Sequence, residues 1–352
     1  MMAVDSTEAV VLAVHARKAK LRLAALLAMA AIMVAASLAD VVTGSSDLTV
    51  SVLVKALIAP ASVDMTTQVI VWDIRLANAA LALLVGAALA LAGAEMQTAL
   101  DNPLASPFTL GVSSAAAFGA ALAIVAGIAL PGLPEAWQVP LNAFLAAVGA
   151  MAVIYGFARL SGLGSETLVL FGVATMFAAN AALALMQYVA SPQALQEIVF
   201  WSLGSLGRAG WTEIGVLAAV LAVVVPCSLA SAQGLNALRF GDDRARSFGV
   251  DVDRLRFLAL LRVSVLTATA VAFVGTIAFV GLVAPHIARL LVGEDHRVFL
   301  PASVLSGAIV MAFASIASKL IAPGLVAPVG VVTSILGVPI FMALIFARRR
   351  RS

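Results

Sequence analysis

The run NAALALLVGAALALAGAEMQTAL, residues 78–100, holds one ionisable side chain, Glu95. A helix rises about 1.5 Å per residue, so this run can cross a hydrocarbon layer about 30 Å thick. Within lipid the backbone must satisfy its own hydrogen bonds, which makes a helix the available form. Its Ala and Gly residues let neighbouring helices approach closely, where association depends on packing rather than on escape from water.

The rest of the chain repeats this pattern. Of 352 residues, 63% are hydrophobic and 11% charged, against about 45–50% and about 25% in soluble domains. A soluble protein could not cover its outside with so few polar groups. The predicted fold is all-α: a polytopic membrane protein with a single transmembrane domain over residues 1–352. Ten apolar segments are expected at about 22–40, 78–100, 110–130, 138–158, 166–190, 211–231, 256–275, 278–292, 300–320 and 328–347. The eighth is short for a full span and is expected to pack inside the bundle. The first follows Arg17, Lys18, Lys20 and Arg22 without a convincing cleavage site, so it reads as a retained span.

Basic residues orient the bundle. With the N-terminal segment 1–21 in the cytoplasm, sixteen of the 21 Lys and Arg residues fall on cytoplasmic segments. Lys55, Arg75, Arg208 and Lys319 fall outside, and Arg262 lies inside span seven, near enough to its end to snorkel. This bias predicts both termini in the cytoplasm. Residues 41–77 are long enough for an amphipathic surface helix on the outside. The cytoplasmic loop over 232–256 is the most polar stretch, and GDDRARSFGVDVDRLR within it reads as two short helices meeting at Gly249. Such a compact, charged loop suits a protein partner, although a solvated connector would share its composition.

Several chemistries are excluded or disfavoured. None of Lys18, Lys20, Lys55 and Lys319 follows a glycine, so no P-loop can cradle a nucleotide. His15, His286 and His296 lack metal-ligand spacing, and no nucleophile elbow is present. No metal, cofactor or nucleic-acid partner is expected. The single cysteine, Cys227, rules out an intrachain disulfide. A proton-driven transporter would carry titratable groups near mid-membrane. Glu95 sits near a span end and reads as structural.

Three segments carry a family resemblance. They are IRLANAALALLVGAALALAGAEMQTALDNPLASPFTLGVSSAAAFGA at 74–120, VFWSLGSLGRAGWTEI at 199–214, and a discontinuous third. The third runs from GDDRARSFGV at 241 through GTIAFVGLVAPHIARLLVGEDHRVFLPAS at 275–303 to PVGVVTSILGVPIFMALIF at 328–346. In order and spacing they resemble the FecCD-type permease subunits of bacterial ABC importers for ferric siderophores, haem and cobalamin. The resemblance implies a homodimer in the bacterial inner membrane, two copies of a separate cytoplasmic ATPase subunit, and a periplasmic substrate-binding protein. Siderophore import is the first expectation, with haem or cobalamin as alternatives. An ion-coupled secondary transporter and a membrane scaffold are the readings from other classes.

The resemblance also implies roles for residues. Gly241, Asp242, Arg244, Arg246, Gly249 and Arg254 match the coupling loop that grips the ATPase. Arg75, Asn78 and Lys319 match positions that dock the binding protein, although Arg75-Leu76-Ala77-Asn78 lacks the Pro and second Arg usual there. Gly164, Ser165, Glu166 and Thr167 match a cytoplasmic gate, where Ser165 or Thr167 could equally cap the following helix.

Overall fold

The structure is a computed structural model that describes residues 2–44, 48–160, 165–208, 210–321 and 325–349. The elements are helices α1 (Met2–Val42), α2 (Val50–Ile58), α3 (Met65–Val69) and α4 (Ala77–Ala99). Next come α5 (Val112–Ala126), α6 (Glu135–Leu160), α7 (Ser165–Val189), α8 (Pro192–Ser202) and α9 (Trp211–Ala230). The chain continues with α10 (Ala232–Leu238), α11 (Asp242–Ser247), α12 (Val252–Val274), α13 (Val280–Val292), α14 (His296–Leu320) and α15 (Val329–Arg349).

Among the described residues, seven helices are long and apolar enough to span a bilayer, and three shorter apolar helices accompany them. The ten fall in the order read from the sequence. The shorter three are Val112–Ala126, Val280–Val292 and Val329–Ala343. The 13-residue α13 is buried along most of its length, which suits a helix shielded by its neighbours rather than by lipid.

At the centre stands α4, buried over nearly all of its length. It packs against α14, α12, α13 and α9. Gly86 of α4 meets the backbone of Gly307 in α14, and Gly93 meets Gly281 in α13, so closely that neither site has room for a Cβ. These backbone contacts explain why the 78–100 run is built from small residues: larger ones would force the helices apart. By contrast, most of α1 over Ala16–Val42 and most of α7 face outward.

Two departures from the sequence reading bear on function. The α4 span does not begin in a loop at residue 78. The segment Met65–Ala99 forms a continuous 35-residue helical run, with a π-helical stretch at Ile70–Leu76 joining α3 to α4. The wider turn changes the direction of the side chains it carries, and Arg75 faces inward as a result. In addition, Ser191 caps α8 by accepting from the Ala194 N–H at 3.2 Å, with Pro192 in the first turn. That short helix was not anticipated. The surface helix expected in 41–77 is α2, anchored by Leu53 and Ala56.

Candidate functional site

The Arg-rich face is organised around α11. Gly241 precedes it at φ 93°, and Asp242 and Asp243 occupy its first turn, with Arg244 and Arg246 in its last. This order complements the helix dipole. The helix ends in a Schellman turn: the Gly249 N–H donates to Arg246 O at 2.9 Å and the Val250 N–H to Ala245 O at 3.1 Å. Gly249 lies at φ 82°, a conformation that favours glycine. Asp251 then caps α12 by accepting from the Arg254 N–H at 3.0 Å. The break at Gly249 and the short helix before it match the sequence expectation, whereas the second helix is not short: it is the first turn of the 23-residue α12. Arg244, Arg246 and Arg254 are exposed, and Arg246 approaches Asp253 at 3.6 Å.

Asp242 points the other way. Its carboxylate accepts from Arg256 Nη2 at 2.9 and 3.1 Å, while Arg256 Nε donates to Ala99 O, in the last turn of α4, at 2.8 Å. Arg256 itself is buried. A second connection runs from α10. The Asn236 amide nitrogen donates to Asp295 at 3.1 Å, and its oxygen accepts from the His296 backbone N–H at 2.9 Å. The same oxygen lies 2.8 Å from His296 Nδ1, and His296 Nε2 lies 2.7 Å from Thr98 Oγ1. Arg22 of α1 approaches Asp295 at 3.3 Å. Burial works to raise the Asp295 carboxyl. The Asn236 bond, the Arg297 N–H and the charges of Arg22 and Arg297 outweigh it and hold this group below the usual carboxylate range.

Arg262 does not snorkel. Its Nε donates to both oxygens of Glu95 at 3.0 and 2.9 Å, joining α12 to α4 inside the bundle. Its Nη2 is also 2.9 Å from Glu95, as an ion-pair contact without hydrogen-bond alignment. Glu95 is thus structural, as its position near a span end suggested.

On the opposite face, the docking candidates Arg75 and Lys319 turn onto the end of α1, Arg75 buried and the Lys319 side chain 7% exposed. Arg75 Nη1 donates to Val41 O at 3.3 Å and Val42 O at 2.9 Å. Lys319 Nζ donates to Asp40 O and Oδ1, both at 2.8 Å, and Ser315 Oγ donates to Asp40 Oδ2 at 2.9 Å. The physical reason is the terminus of α1, whose last carbonyls lack helical partners and attract cations. Asn78 is half-buried nearby in sequence. Also on this face is a cavity of about 850 Å³ walled by Phe200, Trp201 and Phe273 and edged by Glu135, Glu197 and Arg208.

Of the anticipated gate, Gly164 lies outside the described residues, and Ser165 opens α7. Glu166 is exposed and Thr167 half-buried in its first turn. The linking residues Asn236, Thr98 and Arg256 were not singled out from the sequence. Asp295 ahead of an apolar run is a readable cap signal, and its side chain does accept from the Arg297 N–H at 3.2 Å.

The model of the FecCD transport family matches residues 29–347. The chain belongs to the FecCD transport family. It is an ABC importer permease, and its relatives share most of its length. The hemin transport system permease protein HmuU of Yersinia pestis is 37% identical over 283 residues, covering 80% of this chain and 84% of that protein. The cobalamin import system permease protein BtuC of Halobacterium salinarum is 39% identical over 288 residues, covering 82% and 76%. A solved structure described as an inward-facing conformation of a metal-chelate type ABC transporter superposes with a TM-score of 0.80. It is 29% identical, and the alignment covers 92% of this chain and 98% of that one.

Proposed function

We propose that this permease imports an iron–siderophore complex by alternating access, as a homodimer in the bacterial inner membrane. Power comes from two cytoplasmic ATPase subunits, and a periplasmic binding protein delivers the substrate. The observation that carries the reading is the family match over residues 29–347, joined to a structural neighbour of metal-chelate type at a TM-score of 0.80. Absence of a P-loop fits a motor on another chain. The α11 loop supplies the grip: Gly241 and Gly249 fix its turns, Arg244, Arg246 and Arg254 face outward, and Asp242 ties it to the bundle. The gate is the start of α7, from Ser165 to Thr167, together with the preceding Gly164.

For the binding protein, the internal pairing of Arg75 and Lys319 leaves docking to other groups. Lys55 is exposed on α2 and Asn78 is half-buried. Both can donate to an acidic partner. Rim charges of this kind govern encounter more than final affinity.

Haem or cobalamin is the second reading, favoured by the names of HmuU and BtuC. Proteoliposomes holding the permease, its ATPase and its binding protein separate the readings. ATP-dependent uptake of labelled ferric siderophore, with no uptake of haem or cobalamin, is expected. Uptake of haem or cobalamin alone would replace the substrate assignment, and uptake driven by an ion gradient without ATP would overturn the mechanism.

A further inference from the structure

The last turn of α4 joins three elements through three consecutive residues. Gln97 Oε1 accepts from Arg289 of α13 at 3.2 Å, Thr98 meets His296 of α14, and Ala99 O accepts from Arg256 of α12. Two of these three links continue to the charged loop: Arg256 onward to Asp242 of α11, and His296 onward to Asn236 of α10. We propose that residues 97–99 are where motion of the coupling loop enters the bundle, with Arg256 and His296 as the positioning residues. The inference rests on the reading of α11 as the ATPase grip.

Geometry supports a specific linkage rather than a general adhesive. The Asn236 amide can be oriented only one way, because its oxygen faces a backbone N–H and its nitrogen faces a carboxylate. His296 Nδ1 must then donate to that oxygen, while Nε2 lies 2.7 Å from the Thr98 hydroxyl, which also reaches Ala94 O within its own helix at 3.0 Å. His296 is buried, and its ring meets Phe299 edge-on at 5.3 Å. Arg256 is equally enclosed, and its planar fork holds a carbonyl on one side and a carboxylate on the other. Nearby pairs at the surface differ. Arg246–Asp253 and Arg239–Glu294 are substantially exposed, and such pairs contribute little to holding a position.

What lies beyond the last turn makes it a useful point of entry. Through Gly86–Gly307 and Gly93–Gly281, α4 touches α14 and α13 backbone to backbone. Those contacts fix the distance between the helix axes, and the Gln97–Arg289 and Thr98–His296 links fix their register, so the three helices shift together. At about 1.5 Å per residue, the 23 residues of α4 carry a displacement about 35 Å toward the opposite face.

The test uses the complete transporter in proteoliposomes, with ATP hydrolysis, substrate uptake and ATPase-subunit binding measured together. Arg256→Met cuts the link to both Asp242 and Ala99. Thr98→Val keeps shape and volume and removes only the hydroxyl, so it reports even if Arg256→Met fails to fold. Each is expected to leave ATPase binding near the wild-type value and to lower substrate imported per ATP by about tenfold, a typical coupling change for residues along such a network. Arg256→Lys retains a charge for Asp242 and should recover part of the loss. An unchanged ratio in Thr98→Val and Arg256→Lys would overturn the proposal while leaving the grip intact. Loss of ATPase binding in both would overturn it too, by making these residues part of the binding surface. Failure of the wild type to couple ATP to uptake would instead refute the functional reading itself.

Discussion

Replacing Glu95 by Met leaves the Arg262 guanidinium inside the bundle with no acceptor. The pair is enclosed: Glu95 exposes none of its side chain and Arg262 exposes 10%. Three N–O contacts between 2.9 and 3.0 Å disappear together. Removing one partner of a buried pair costs about 3–5 kcal/mol, because the remaining charge cannot return to water. At about 2 °C per kcal/mol for a chain of this size, the apparent melting temperature should fall by about 6–10 °C. Arg262→Met should be milder, since a lone carboxyl can be neutralised by one proton and a guanidinium cannot. The double variant restores a matched apolar contact and should regain most of the loss. Thermal loss of monodisperse protein in detergent, compared across the three variants at one heating rate, reads all of this. A Glu95→Met protein melting with the parent would refute the reasoning. So would a double variant no more stable than Glu95→Met.

Other perturbations probe the remaining contacts. Gly86→Ala drives a methyl into the Gly307 carbonyl, and overpacking of this kind costs about 1–3 kcal/mol; the same melting assay checks it. Asp40→Ala strands the buried Lys319 ammonium with a single carbonyl. It should cost about 3–5 kcal/mol and expose the segment after α1 to protease. Gly249→Ala places a Cβ at φ 82° and should loosen the end of α11 at a cost of about 1 kcal/mol, read as weaker ATPase binding. Asp295 is held below its ordinary range, so its contribution is present above the unfolded value and lost as pH falls through the folded one. Asp295→Asn should therefore flatten the acid side of the stability profile, measured as melting temperature against pH.

Much of the fold was legible because membrane helices announce themselves by composition. The 78–100 run, the short eighth segment and the break at Gly249 each follow from local chemistry: apolar length, insufficient length and a left-handed turn. What stayed hidden depends on partners far away in the chain. Glu95 and Arg262 stand 167 residues apart, and Lys319 and Asp40 stand 279 apart. Hydropathy cannot pair such residues. The surroundings of Arg75 were hidden for a more local reason, since the π-helical stretch before α4 turns its side chain onto the end of α1. The cap at Ser191 followed by Pro192 was readable and announces α8.

The placement of charge explains how so apolar a chain specifies one arrangement. Close backbone contact between Gly86 and Gly307 and between Gly93 and Gly281 sets the distance between helices but permits sliding along their axes. Polar links at the ends remove that freedom. The enclosed Asp40–Lys319 pair holds the end of α1 against α14, while the part-exposed Arg22–Asp295 pair on the other face adds little. Glu95–Arg262 and Arg256–Ala99 fix the height of α12 against α4. Hydrophobic matching to lipid could not supply this register, since a helix displaced by one turn would still bury an apolar face. The ionisable residues on the outer face that resemble docking contacts are thus the ones this bundle uses to set its own alignment.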